Sequence, residues 1–384
     1  MDYELIKPYP GESEDSFAKR RAYYIRILRA RYEYGEHLIE NYSPHGIPIN
    51  KYEKEEIDAF WDKFLKPELR DKLVDYRFYD VFKNLNQNRG HRLSYYIPDT
   101  FYYAYVDDYF ANPQFSKPCD DKNLYDLYFH DVYQPRTIFR KVDDFLLDSD
   151  YKAISLTEAI ARSRNEGEVI LKTGKFTSGG HGILFWNAAI DSEEKLVDFL
   201  QSSNDIICQE VIKQHPAMSI LNPSSVNTIR LFTFAFKGEI HMLSSFVRFG
   251  GKGSRVDNSH SGGLACGLEK DGRLKATAFD LSANKYDYRP QGKSLDEIVV
   301  PNYHKCVGMA IRLAKRFVSI THMISWDFAI DEIGDPILIE FGVSFGGLNF
   351  HQICNGPIFG DMTEEVIAEV FKHSFTLNSI IKSL

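Results

Sequence analysis

Little in this sequence would tie the chain together covalently. Its five cysteines, Cys119, Cys208, Cys266, Cys306 and Cys354, are far apart and odd in number, with no C-x-x-C pair among them. That excludes a disulfide framework and fits reduced thiols in a cytosol, where they read as buried small hydrophobes. No run of eighteen apolar residues occurs, and the start Met1-Asp2-Tyr3-Glu4-Leu5-Ile6 has neither a basic nor an apolar signal region. A membrane span and a signal peptide are therefore not expected, and the expected location is cytoplasmic. Basic excess is missing too: 46 Lys and Arg stand against 54 Asp and Glu, a net charge of -8. Nucleic acid is not an expected partner of such a chain. There is no repeat of twenty to fifty residues, which excludes a solenoid. G-x-x-x-x-G-K-[ST], G-x-G-x-x-G and H-E-x-x-H are all absent, and no two of the twelve histidines stand four apart. P-loop, dinucleotide and helical zinc readings thus lack their fingerprints.

What remains is an ordinary globular composition, 43% apolar and 26% charged over 384 residues, enough to bury two or three cores. Residues 13–73 have helical spacing: Ala22, Ile25 and Leu28 come first, then Ile57, Phe60, Phe64 and Leu65 in a stretch that Pro67 should end. Lys and Tyr interleave through the first 150 residues, which suggests a surface able to rest on a larger assembly. A Tyr-rich segment, 95–109, leads to Asn112-Pro113 and Lys117-Pro118, a turn-rich junction. Beyond it short strands alternate with helices, and from Val226 onward β-structure dominates, with hairpins at Lys237-Gly238 and Asp271-Gly272. The expected class is α+β (α/β) in three parts: a helical, Tyr-rich region 1–115, an α/β layer 116–212 and a β-dominated layer 213–384.

The sharpest chemistry lies in Trp326-Asp327-Phe328-Ala329-Ile330 and Pro336-Ile337-Leu338-Ile339-Glu340-Phe341. If 332–335 closes a four-residue hairpin loop, Asp331 faces Pro336 and Asp327 lies directly opposite Glu340, their Cβ atoms roughly 5 Å apart. Trp326, Phe328, Ile330, Ile337, Ile339 and Phe341 then form the core face. Facing carboxylates repel, so the pair is either partnered by cations or kept for a hard divalent ion such as Mg²⁺, the alternative being a solvated face. In Val169-Ile170-Leu171-Lys172 a strand ends in a lysine, and Gly174, Gly179, Gly180 and Gly182 follow with Thr177 and Ser178. That is a phosphate-cradling composition, or a flexible hairpin tip. Arg248, Lys252 and Arg255, interleaved with glycines, make a local anion site or a solvated loop, and the mid-strand Arg230 needs an internal carboxylate or a ligand anion. His181, His260 and His351 read as hydrogen-bonding loop residues. Gly342-Val343-Ser344-Phe345-Gly346, with Asp361 and His373 beyond it, matches a hydrolase elbow in letters, but Gly346-Gly347-Leu348-Asn349 is a poor helix start.

Taken in order, these pieces resemble the ATP-grasp superfamily over about residues 120–360. Ser225-Val226-Asn227-Thr228-Ile229-Arg230 and Val256-Asp257-Asn258 with Gly262-Gly263 are similar, more narrowly, to its sugar-transfer-associated members, relatives of the α-L-glutamate ligases. The resemblance implies two α+β subdomains enclosing ATP. It assigns Lys122 and Lys172 to the nucleotide phosphates, and Ser178, Gly179, Gly180 and Gly182 to a mobile loop over them. Glu210 and Ile212 fall at the adenine, and Asn258 at the nucleotide site. Arg230, Arg248 and Arg255 become the catalytic cations, with Arg255 one position away from the glutamate-ligase arginine, and Asp327 and Glu340 become ligands of Mg²⁺, for which Mn²⁺ could substitute. The usual last ligand, an Asn two residues past the Glu, is Gly342 here. The implied reaction is ATP-dependent, ADP-forming carboxylate–amine ligation through an acyl phosphate, joining an amino compound to a carboxylated sugar or its precursor in surface polysaccharide synthesis. A glutamate-type peptide ligase, a phosphotransferase and a non-catalytic nucleotide-binding scaffold are the alternatives.

Overall fold

A computed structural model describes residues 11–42, 46–112, 116–175, 182–251, 253–257, 262–343 and 346–373. The chain opens with helices Glu14–Tyr42, Lys51–Trp61, Pro67–Leu73 and Arg77–Asn86, followed by a helical run at 99–111 whose centre, Tyr102–Asp107, is a π-helical turn. Asn50 and Glu53 form a capping box at the second helix, fixing its start at Lys51. Pro67 begins a helix rather than ending one. It stands in the first turn of Pro67–Leu73, where its missing N–H has no intrahelical partner to lose. The tyrosines divide: Tyr42, Tyr79, Tyr96, Tyr102 and Tyr103 are fully buried, whereas Tyr23, Tyr34, Tyr52 and Tyr133 are exposed.

Two antiparallel sheets follow. The first has the order β2-β1-β5-β3-β4, from Thr137–Val142 (β1), Phe145–Leu147 (β2), Glu168–Thr173 (β3), Ile183–Asn187 (β4) and Asp205–Glu210 (β5). Helices Leu156–Glu166 and Glu193–Ser202, each started by a serine cap, supply Ala159, Leu196 and Leu200 to its core. The second sheet has the order β10-β9-β8-β7-β6-β11-β12. Its strands are Thr228–Phe236 (β6), Glu239–Phe249 (β7), Leu264–Leu268 (β8), Leu274–Phe279 (β9), Lys285–Tyr286 (β10), Met323–Ile330 (β11) and Pro336–Gly342 (β12).

Both faces of the second sheet are covered. Leu231, Val247, Trp326 and Phe341 pack with helix Tyr303–Ala314 and with Tyr125 and Phe129. Phe232, Phe234, Phe236 and Phe246 share a single core with the N-terminal helices, helix Leu348–Asn355 and helix Thr363–His373. Residues 211–227 join the sheets. Gln214 holds this link, accepting from the Asn227 backbone at 3.0 Å and pairing with Asp331 as a β-bridge.

The β11–β12 hairpin departs from its expected register in an instructive way. Ile330, not Asp331, faces Pro336, because Asp331 folds into the loop and its Oδ1 accepts from the backbone N–H groups of Ile333 and Asp335. A β-bulge then skips Ile339 and restores the pairing of Asp327 with Glu340. The bulge also changes which residues face the core. Leu338 joins the cluster around Trp326, whereas Ile339, expected there, is only half-buried.

Candidate active site

Along β6 the residues facing the N-terminal core run Phe236, Phe234, Phe232 and then Arg230, and along β7 Phe246 is followed on the same face by Arg248. The aromatic face therefore passes directly into charge, and the carboxylate that answers it is Asp327 on the adjacent β11. Asp327 is 4% exposed, so the solvated-face reading does not hold for it. Arg230 donates through Nε to Oδ1 and through Nη2 to Oδ2 at 2.8 Å, and Arg248 Nη2 donates to the same Oδ2 at 2.7 Å. Burial alone would raise the pKa of this carboxyl, but the two guanidinium groups outweigh it and hold Asp327 below the usual carboxylate range. Thr228 and Asp257 extend the network: Arg248 donates to Thr228 Oγ1 at 3.1 Å, Thr228 donates to Asp257, and Arg248 Nε lies 3.4 Å from Asp257.

Glu340, across the strand from Asp327, is paired through Oε1 with Lys122 at 2.9 Å. Lys122 comes from the turn before β1, and its backbone N–H is tied to the Gly174 carbonyl just past the end of β3. This bond brings the first lysine to the strand that carries the second. Lys172 reaches Gln209 Oε1 at 3.1 Å on neighbouring β5. Burial pulls the Lys172 ammonium down to about 8. Glu340 opposes the shift, Lys122 adds to it, and Asp257 opposes it more weakly. The four groups thus share one electrostatic neighbourhood, formed where the two sheets meet.

The structure gathers Lys122, Lys172, Arg230, Arg248, Asp327 and Glu340. It leaves Arg255 outside that cluster, paired with Glu168 at 2.9 Å and lying over the Phe185 ring at 3.9 Å. Glu168 and Lys172 are on one face of β3, four residues or about 13 Å apart. Glu210 closes β5 and accepts from the Arg136 backbone at 2.9 Å, and Ile212 is half-buried in the link between the sheets. Gly182 anchors the glycine loop by accepting from the Thr173 N–H at 2.9 Å. Ser178, Gly179, Gly180, Asn258, His181, His260 and Ser344 lie outside the described residues.

Two other expectations are corrected. Helix Leu348–Asn355 does begin beside Gly347, which takes φ +78 as its N-cap, a conformation that glycine adopts without strain. His351 lies inside that helix rather than in a loop, stacked on Phe232 at 5.1 Å, fully buried. Burial and then Arg230 push its pKa far down, so it is a neutral ring behind the arginines. The hydrolase letters gain nothing, because His373 is half-exposed and paired with Glu369 at 3.7 Å. Gln209 was missed and carries no local signal. Thr228 and Asp257 stood inside the quoted motifs without a role assigned to them, and His351 was expected in a loop.

For a divalent ion the fit is uneven. Glu340 has a 40% exposed side chain and suits a Mg²⁺ shared with nucleotide phosphates. Both Asp327 oxygens are already engaged, Gly342 brings no ligand, and among the described residues no three His, Cys, Asp or Glu gather for a metal. Among the described residues no helix is long and apolar enough to cross a membrane.

Two antiparallel sheets with lysines from one and a carboxylate–arginine set from the other define an ATP-grasp fold. The chain belongs to the family described as sugar-transfer associated ATP-grasp, which matches residues 105–367. No curated protein matches it. Solved structures with a similar fold include D-alanyl-alanine synthetase A from Vibrio cholerae, at 10% identity and TM-score 0.40, covering 68% of this chain and 66% of that one. The biotin carboxylase domain of Hydrogenobacter thermophilus 2-oxoglutarate carboxylase, solved with MgADP and bicarbonate, has 14% identity and TM-score 0.40, covering 66% and 45%. L-amino acid ligase from Bacillus licheniformis has 12% identity and TM-score 0.36, covering 87% and 65%. The chain spans 45–66% of the length of the first structures it matches.

Proposed function

We propose that this chain is an ATP-dependent, ADP-forming carboxylate–amine ligase, with a carboxylated sugar or its precursor as the acid to be activated. The observation that supports this reading best is the convergence of Lys122, Lys172, Arg230 and Arg248 on Asp327 and Glu340 between two sheets. These four cations share the site with Asp327, Glu340 and Asp257, and their converging donors suit a polyphosphate. Lys172 and Lys122 bind its oxygens, and Arg248 and Arg230, aimed by Asp327, offset charge as a phosphoryl group passes to the substrate carboxylate. An amine then attacks the acyl phosphate and phosphate leaves, so no protein nucleophile is needed. Glu340 would hold Mg²⁺, which would supply neutralisation of phosphate charge. On this reading Glu210 and Ile212 lie at the adenine, and Ser178, Gly179, Gly180, Gly182 and Asn258 are nucleotide-binding residues that the family resemblance assigns.

The test is ADP release from Mg-ATP across pooled uronic acids and amino acids. Release that requires both an acid and an amine is expected. ADP formed with the acid alone, together with a phosphorylated product, would identify a phosphotransferase instead. Nucleotide binding without turnover in every pool would favour the scaffold reading, which the engaged Asp327 and Gly342 support. Glu340→Gln should lose turnover at least a hundredfold while the chain still folds cooperatively, its stability lowered by about 1–3 kcal/mol because Lys122, 12% exposed, loses its carboxylate but keeps an amide oxygen to donate to. An unfolded variant would contradict that placement.

A further inference from the structure

Away from the site, a cavity of about 330 Å³ opens between the N-terminal helical region and the β8–β9 edge of the second sheet. Arg89, His91 and Lys275 line it with Thr277 and Phe279, and a single carboxylate, Glu269, faces them. Its floor is the C-terminal end of helix Leu348–Asn355. There Arg89 Nη1 donates to the Ile353 carbonyl at 2.8 Å and Lys275 Nζ to the Cys354 carbonyl at 3.4 Å. Two glycines leave room for these cations. A Cβ at Gly356 would come within 2.5 Å of His91 Nε2, and one at Gly267 within 3.0 Å of Lys275 Cδ.

From this lining we infer that the cavity is a second anion site, distinct from the nucleotide site, for a small organic phosphate such as a sugar phosphate. The volume lies at the lower end of the range for small-molecule pockets, about 300–1,000 Å³, and exceeds what a bare phosphate would fill. Arg89 offers a planar fork, Lys275 a point charge and Thr277 a hydroxyl, while the Phe279 ring provides an apolar wall for a sugar face. Phosphate rather than carboxylate is indicated by the donors, since the Arg89 fork, the Lys275 ammonium and the Thr277 hydroxyl together offer more hydrogen bonds than one carboxylate accepts, and the two cations outnumber the single carboxylate Glu269. Burial and then Arg89 lower the pKa of His91; burial lowers that of Lys275, with Glu269 opposing and Arg89 adding to the shift; and burial and Arg89 lower that of the neighbouring Lys285. Arg89, Lys275 and Lys285 repel one another in a chain whose net charge is -8. Capping the helix carbonyls accounts for one hydrogen bond each from Arg89 and Lys275, but not for His91, Thr277 or the open volume. The eight-residue helix is about 12 Å long. A phosphate in this cavity is therefore a helix length from Arg230, too far to be the group attacked.

The experiment is calorimetric titration of the full chain at fixed ionic strength with glucose 1-phosphate, inorganic pyrophosphate and glucuronate. Saturable binding of the phosphorylated probes is expected, weakened about tenfold or more by Lys275→Met and tightened severalfold by Glu269→Gln. Lys172→Ala should leave the glucose 1-phosphate isotherm unchanged, while any pyrophosphate held at the nucleotide site is lost. The gain in Glu269→Gln keeps the test decisive if Lys275→Met perturbs the fold, because a purely capping role predicts no tightening. Loss of glucose 1-phosphate binding in Lys172→Ala with retention in Lys275→Met would assign that probe to the nucleotide site and overturn the inference. Equal binding of glucuronate, or no saturable binding, would overturn it as well. None of these outcomes depends on whether the chain is a ligase.

Discussion

Lys172 is the residue whose chemistry is most exposed to pH. Its folded value of about 8 lies below the ordinary 10.5, because burial disfavours the ammonium. Between those values the folded chain binds fewer protons than the unfolded chain. The burial penalty is therefore fully present below pH 8 and fades as pH rises toward 10.5. Phosphate binding runs the other way, since it needs the ammonium. ATP affinity should fall as pH rises through about 8, and Lys172→Arg, charged throughout, should flatten that profile when Kd is measured from pH 7 to 9.5. A profile equally steep in the variant would mean that another group titrates. Asp327 is the complementary case. Asp327→Asn leaves two largely buried guanidinium groups without their anion and should cost about 3 kcal/mol in denaturant unfolding, partly recovered by added pyrophosphate. Full stability without anion would show that the arginines do not depend on it.

Among the elements, the β11–β12 hairpin carries the most information per residue. Strict alternation puts Ile339 inside and Leu338 outside, whereas the bulge reverses them. Leu338→Asp should therefore destabilise by roughly 3–5 kcal/mol and Ile339→Asp by under about 1 kcal/mol, read from chemical denaturation. The reverse order would return the hairpin to plain alternation. This hairpin also marks how far the sequence could be read. Facing carboxylates at Asp327 and Glu340 were legible because they lie in two strongly apolar strands with an obvious turn between them. The bulge was not, because it follows from the Asp331 side chain holding the loop, and that interaction leaves no periodic trace. Lys172 before its glycines and Arg230 inside a strand were legible as local anomalies. Gln209, Thr228 and His351 were not, since each owes its role to residues far along the chain. Some of the tyrosines misled for a related reason: interleaved with Lys they read as surface, and helix packing turns Tyr42, Tyr79, Tyr96, Tyr102 and Tyr103 inward while Tyr23 and Tyr52 stay exposed.

For the whole molecule, the helical region and the second sheet are bound by a common aromatic core. Phe110 meets Phe234 at 4.8 Å, and Gln352 bonds both the N–H and the carbonyl of Ile97 at 3.1 and 2.9 Å. A chain beginning at residue 116 would present Phe234, Phe236, Phe350 and Phe359 to water. It should aggregate or lose its cooperative transition, as judged by light scattering and near-ultraviolet circular dichroism. A monomeric truncation with native tertiary signals would instead make residues 11–112 a dispensable addition. The three-part division 1–115, 116–212 and 213–384 is on this reading a proposal about chain order, with the first and third parts stabilised together.

The Lys122–Glu340 contact closes a loop of over two hundred residues, and every strand of both sheets lies between its ends or flanks them. A contact so distant in sequence forms only after the intervening chain has condensed, since the entropy of closing the loop must be met first. During synthesis, therefore, the lysines emerge long before the carboxylate that positions the first of them. A ribosome-bound fragment stopped before β11 would have both lysines and both arginines, Arg230 and Arg248, yet lack Asp327 and Glu340, the carboxylates that pair with them, so the site is complete only once β12 has emerged.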